Sequence, residues 1–284
     1  MRLFSDILNK NPLVRWVKNA RNRCLNALFL KQAAETIQLP PDWRPENHSA
    51  MCFSIAFNHP LCIEVLIESW QEFSRNTELV IVDNSSKKEA REQIRAHCAK
   101  RGVPYIGLPK NWEWSINRSH AISMNWIYYN LVLQWKPRLF GFLDHDCFPY
   151  AAFDLAETME DFNIWGDKRA PKHGKNQWQL WAGLCFFRLS RLENVKIDFT
   201  HSVELRMDTG GSNWNSLYKY IHPQEVKCSL SGTMPHGELF SQMGNTIDNR
   251  FLHIGGASYR SEKVFDKINL AQALKEMALQ NGPA

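Results

Sequence analysis

The chain has 284 residues, 44% hydrophobic and 22% charged, a balance typical of globular proteins and long enough to bury a core of its own. No stretch reaches the ~18 consecutive apolar residues of a membrane span; the best candidate, residues 126–135, is short and interrupted by Asn130 and Gln134. The net charge of +5 sits at one end: residues 1–34 hold seven basic side chains against Asp6 alone, so the remainder is nearly neutral and lacks the basic body of a nucleic-acid-binding protein.

Seven cysteines, odd in number and without a C-x-x-C pair, suggest neither a disulfide framework nor a zinc ribbon. With no secretory signal at the N-terminus, the expected compartment is the reducing cytoplasm.

The first predicted element is a basic helical arm. Apolar residues recur every three or four positions up to Leu30 with basic residues between them, and Pro12 breaks or restarts the pattern. Such a helix suits an anionic membrane surface, and equally a face of its own domain or of a partner. The run Leu39-Pro40-Pro41-Asp42-Trp43-Arg44-Pro45 reads as a linker, ending the arm at residue 45.

From residue 46 onward the chain reads as one α/β unit. Apolar runs at 51–57, 79–82, 103–108 and 139–143 predict buried strands. They alternate with helical spacing at 61–75, from the cap Asp83-Asn84-Ser85-Ser86 to about residue 101, and at 116–134. This pattern predicts a mostly parallel sheet flanked by helices, with the ligand outside the carboxyl ends of the strands. Asn58, Asp83 and the group Asp144-His145-Asp146 stand there. Asp144 and Asp146 can both reach one hard cation if the strand opens into a turn. After Pro149 the regularity weakens into aromatic segments and turns.

Four pieces in order carry a resemblance: Ser54-Ile55-Ala56-Phe57-Asn58, Val80-Ile81-Val82-Asp83-Asn84-Ser85-Ser86, Asn117-Arg118-Ser119 opening a helix, and Phe142-Leu143-Asp144-His145-Asp146. Together they resemble the family-2-type glycosyltransferases, which have the GT-A fold, a Rossmann-like nucleotide-sugar-binding α/β domain. The resemblance implies a nucleotide-sugar-binding half at 51–150, an acceptor-binding and catalytic half at 151–260, and a C-terminal helix at 261–284. It implies that Asp83 hydrogen-bonds the base, that Ala56 and Asn58 shape that pocket, and that Arg118 lies near the diphosphate or the base. Asp146 would bind Mn²⁺ or Mg²⁺, Asp144 would touch ribose or metal, and His253, in Phe251-Leu252-His253-Ile254-Gly255-Gly256, would complete the shell.

Trp181-Ala182-Gly183-Leu184-Cys185-Phe186-Phe187-Arg188 resembles the acceptor-side strand, which implies acceptor contacts at Trp181 and Gly183. Asp208 falls where the family places its base, with Glu204 one helical turn upstream as the second candidate. The implied reaction inverts the anomeric centre and passes a sugar from a nucleotide donor to a glycan or lipid-linked acceptor, of the kind used for cell-surface polysaccharide or lipopolysaccharide. The basic arm would hold the enzyme on the inner membrane face.

Plainer roles stand beside these. Asp83 can cap the next helix, His253 can be a satisfied core histidine, and Asp208 can cap a turn. Trp70, Trp126 and Trp135 fit helical core positions, whereas Trp112, Trp114, Trp165, Trp178 and Trp181 are placed near the cleft, where an indole face suits a sugar ring. The run at 168–175 reads as a solvated loop, or as a lid meeting a diphosphate or an anionic lipid acceptor. The alternatives for the whole chain are a nucleotidyltransferase of similar fold, whose Gly-rich loop after the first strand is missing here, and a non-catalytic glycan-binding scaffold.

Overall fold

Side-chain alternation along the central strands decides the layering. The computed structural model describes residues 11–171, 176–233 and 245–256 together with Leu270, Leu274, Glu276 and Met277. Its elements begin with α1 (Pro12–Leu30), β1 (Thr36–Gln38) and β2 (Ala50–Ala56), followed by α2 (Pro60–Phe73), β3 (Ser74–Arg75), β4 (Glu78–Asp83), α3 (Lys88–Arg101), β5 (Tyr105–Gly107) and α4 (Ile116–Ile127). Then come β6 (Leu139–Asp144), β7 (Cys147–Pro149), β8 (Phe153–Asp154), β9 (Ile164–Arg169) and β10 (Gln179–Arg188). Four short strands follow: β11 (Val226–Cys228), β12 (Ser231–Thr233), β13 (Asn245–Ile247) and β14 (Phe251–His253).

The main sheet has eight strands in the order β1-β5-β4-β2-β6-β10-β9-β11. Its centre, β5-β4-β2-β6, is parallel, while β10 joins β6 and β9 antiparallel. Cys52, Leu79, Ile81 and Leu143 point to one face, where α2 and α3 cover them with Leu66, Trp70 and Ile94. Met51, Phe53, Val80, Val82 and Phe142 point to the other, beneath Phe29 of α1 and Met124 of α4. The expected α/β arrangement, a mostly parallel sheet between helical layers, is the one present. Among the described residues no helix is long and apolar enough to cross a membrane.

Pro12, expected to break or restart the arm, starts α1 as its first residue, behind an Asn11 cap whose Oδ1 accepts from Leu13 N at 2.9 Å. Other details differ from the sequence reading. The segment expected to be a linker is docked: Trp43 is buried and its Nε1 donates to Glu78 Oε1 at 3.0 Å. The long helix does not run evenly to 134; after Ile127 it widens into a π-turn at Tyr128–Val132 and resumes only at Leu133–Trp135. Residues 1–10 of the arm, 172–175 of the basic run and nearly all of the expected helix at 261–284 lie outside the described residues.

A second sheet, β12-β13-β14-β7, is the device that positions the site. β7 follows β6 after a two-residue turn at His145 and Asp146, and β14 pairs with it so that His253 stands opposite Cys147.

Candidate functional site

A cleft of about 240 Å³ opens at the carboxyl ends of β2 and β6. The turn after β6 swings the Asp144 and Asp146 carboxylates into it, and β14 brings His253 beside them. One ligand atom from each of the three lies within 4.8 Å of the others, and His253 Nε2 is 3.5 Å from Asp146 Oδ1. Burial, then the neighbouring Asp146 charge, pushes the Asp144 carboxyl up to about 6. Burial alone would push the His253 imidazole down, but its hydrogen bond to Asp146 and the charges of both carboxylates outweigh that and raise it. Two carboxylates and an imidazole are a donor set for a hard divalent ion, and their mutual crowding is what such an ion relieves. The residues present fit Mn²⁺ or Mg²⁺.

The wall beside this group depends on one glycine. β10 slips register against β9 between Leu180 and Cys185, a bulge that includes Gly183. A Cβ at Gly183 would overlap the Trp181 indole and lie 2.5 Å from Asp144 Oδ2. Gly183 therefore makes room for the carboxylate, whereas Trp181 itself lines the cleft, its ring 4.5 Å from that of His253. Arg169, in the run expected to be a solvated loop or a lid, stands over the same indole at 4.5 Å and also lines the cleft.

The opposite wall comes from the segment after β10. An isolated bridge between Ser202 and Met207 folds it back on itself, and Gly210 takes φ +89° to complete the turn. Asn125 of α4 anchors this segment by accepting from Phe199 N at 2.7 Å and donating to Asp198 at 3.0 Å. Asp208 is thereby set in the cleft, exposed, with Oδ1 2.7 Å from His201 Nε2. That hydrogen bond is the main reason its carboxyl lies below the usual range. His120 of α4 stands between the two walls, Nε2 3.8 Å from Asp144 Oδ1, and burial lowers it to about 4.

Other residues singled out in the sequence lie elsewhere. Asp83 is fully buried behind the cleft, its oxygens accepting from Ser85 N at 2.8 Å and Tyr105 Oη at 2.9 Å. Its neighbour Asn84 faces the cleft instead. The Ala56 carbonyl accepts from Asn84 N at 3.0 Å. Asn58, at φ +55°, accepts from Ser86 N and Lys87 N at 3.0 and 2.9 Å and so tethers the start of α3. Arg118 turns away from the cleft to Glu113, 3.1 Å distant. Glu204 lines a separate polar cavity of about 220 Å³ beneath α1.

Of the five tryptophans placed near the cleft, only Trp181 lines it. Trp165 is core, stacked on Phe186 at 4.9 Å, Trp178 packs on Tyr218, and Trp112 and Trp114 are exposed outside it. The sequence reading missed His120 and His201, and held Arg169 only within the run read as a solvated loop or a lid. Asn117, one of the quoted pieces, lines the cleft at the start of α4.

Residues 53–197, just over half of the chain, match the family model for glycosyl transferase family 2. None of the curated proteins matches. Among solved structures, the mannosyltransferase PcManGT from Pyrobaculum calidifontis, in complex with GDP-Man and Mn²⁺, is 13% identical with a TM-score of 0.41, covering 92% of this chain and 83% of that one. An active-site mutant of LgtC is 12% identical with a TM-score of 0.43, covering 81% and 95%. TarS of S. aureus is 14% identical with a TM-score of 0.37; the match covers 56% of this chain and spans only 31% of TarS.

Proposed function

The chain belongs to glycosyl transferase family 2, and from that premise we propose a metal-dependent, inverting transfer of a sugar from a nucleoside-diphosphate donor to a hydroxyl of a glycan or lipid-linked acceptor. The observation that carries the reading is the pairing of the Asp144, Asp146 and His253 cluster with Asp208 across one cleft.

Asp144, Asp146 and His253 would hold the divalent ion, which when bound neutralises charge gathering on the leaving nucleoside diphosphate. Asp208 acts from the other wall as the base that takes the proton of the acceptor hydroxyl while that oxygen attacks the anomeric carbon. His201 donates to its carboxylate and fixes its direction. Glu204, in its separate cavity, is no rival for that proton. A single base opposite the leaving group favours direct displacement, hence inversion, over a covalent intermediate. Trp181 offers an indole face to a sugar ring and Arg169 a positive charge to the diphosphate. Asn84, rather than Asp83, is the polar side chain at the end of β4 that a donor meets. The arm within residues 1–34 places the enzyme at an anionic membrane surface on the cytoplasmic side, in the assembly of a cell-surface polysaccharide or lipopolysaccharide.

The test is a titration of UDP-, GDP-, CMP- and dTDP-sugars into the purified protein with and without Mn²⁺, repeated on Asp146→Ala. We expect one nucleotide class to bind in a metal-dependent way and the variant to lose it. No binding by any donor, with the fold intact by circular dichroism, leaves the scaffold alternative.

A further inference from the structure

A helix lying on a domain normally turns its apolar side inward. In α1 a second apolar side faces solvent. At roughly 100° per residue, Leu13, Trp16, Val17, Cys24 and Leu28 fall within about a third of the circumference. Leu13, Trp16, Val17 and Leu28 are 67, 67, 52 and 62% exposed. The domain is held instead by Phe29, which is buried, and by Asn26, which accepts from Asn125 Nδ2 at 3.1 Å.

Between residues 11 and 34 there are five basic side chains, Arg15, Lys18, Arg21, Arg23 and Lys31, and no acidic one. Arg21 also reaches across to the loop before α4, where its Nη1 is 2.8 Å from Glu113. On either side of Glu113 stand Trp112 and Trp114, 68 and 81% exposed, with Lys110 Nζ 4.3 Å above the Trp112 ring and Arg118 above Trp114.

We propose that the outer stripe of α1 and the Trp112–Trp114 loop form one docking face for an anionic lipid bilayer, with α1 lying in the headgroup plane. Indoles and aliphatic side chains bordered by lysine and arginine are the chemistry of that interface. A second copy of the chain fits the face poorly, because two such surfaces would set like charges against each other. The loop leads directly into α4, whose first turn supplies Ile116 and Asn117 to the donor cleft. A bilayer on this face therefore borders the cleft, so that a hydroxyl of a lipid-linked acceptor is delivered from the membrane side. The docking deepens the membrane placement proposed above, and only the delivery of the acceptor rests on the transferase reading.

The experiment uses the full chain and vesicles of phosphatidylcholine alone or mixed with phosphatidylglycerol, with binding read by co-sedimentation at low and high salt. We expect binding to the anionic vesicles only, weakened by salt. The double variant Trp16→Glu/Val17→Glu should lose about tenfold or more in vesicle affinity, and Trp112→Ser/Trp114→Ser a similar factor. Both pairs are exposed, so melting temperature and nucleotide-sugar affinity should match the parent. Equal vesicle binding by parent and variants, or no binding by the parent, overturns the proposal. So does a parent that sediments as a dimer without binding vesicles and becomes monomeric on Trp16→Glu/Val17→Glu, which would assign the face to a second copy. Failure of the parent to bind any nucleotide sugar would sink the transferase reading alone and leave the vesicle result standing.

Discussion

The carboxyl ends of β4 and β6 are built alike in sequence, each an apolar run closing on an aspartate and a polar turn, yet they do opposite work. At β4 the neighbouring strand supplies Tyr105 and the following turn supplies Ser85 N, so both Asp83 oxygens are satisfied inside the protein. At β6 the turn brings a second carboxylate instead, with the His120 imidazole 3.8 Å from Asp144 and the His253 imidazole 3.5 Å from Asp146. A strand-end aspartate is structural when its own neighbours can hydrogen-bond it, and cation-seeking when they are themselves acidic.

That contrast can be broken by mutation. Asp146→Ala should have the largest effect, lowering Mn²⁺-dependent donor affinity by ~100-fold or more. Its melting temperature should stay level or rise, because like-charge crowding is relieved; calorimetry reads both. Asp83→Ala should do the reverse. It leaves the Tyr105 hydroxyl and Ser85 N–H buried without their acceptor and should cost about 2–3 kcal/mol in urea unfolding, with little change in donor affinity. A variant that keeps its stability and loses the donor would collapse the distinction.

Gly183→Ala sharpens the same comparison from the second layer. The added methyl displaces Asp144, and Mn²⁺ affinity should fall about tenfold while the Asp83 side is untouched. The smallest effect concerns pH. Asp208 has a native pKa below the usual carboxylate range, so it stays ionised at neutral and weakly acid pH; with saturating Mn²⁺ holding Asp144 ionised, activity should fall as pH drops through that lowered value. His201→Leu removes the main cause of the depression and, at the same saturating Mn²⁺, should move the acid limb of kcat/KM upward by less than ~1 unit.

The sheet was legible because its signal is local. Continuous apolar runs and 3.6-residue spacing placed β2, β4 and β6 and the starts of the three helices between them to within a few residues. The acidic pair after β6 was equally plain, since two carboxylates one residue apart share a turn. Asp83 was misplaced because at the last position of a strand one residue decides which side chain faces the cleft, and here it is Asn84. His201 reaches Asp208 through a fold-back closed by the Ser202–Met207 bridge, and His120 faces the site from the middle of a helix. Neither has a spacing rule. The one available hint was Gly210-Gly211 just after Asp208, which announces a tight turn. The outward apolar stripe of α1 could not be told from an inward one, because periodicity fixes the width of a face and not its direction.

The strand pairing that sets His253 against Asp146 spans more than a third of the chain. A ribosome extending this protein releases both carboxylates long before the imidazole, so an incomplete chain would hold the cation weakly. Tight capture would then coincide with the docking of β14 on β7, and the bound ion would act as a late rivet between the two halves of the sequence.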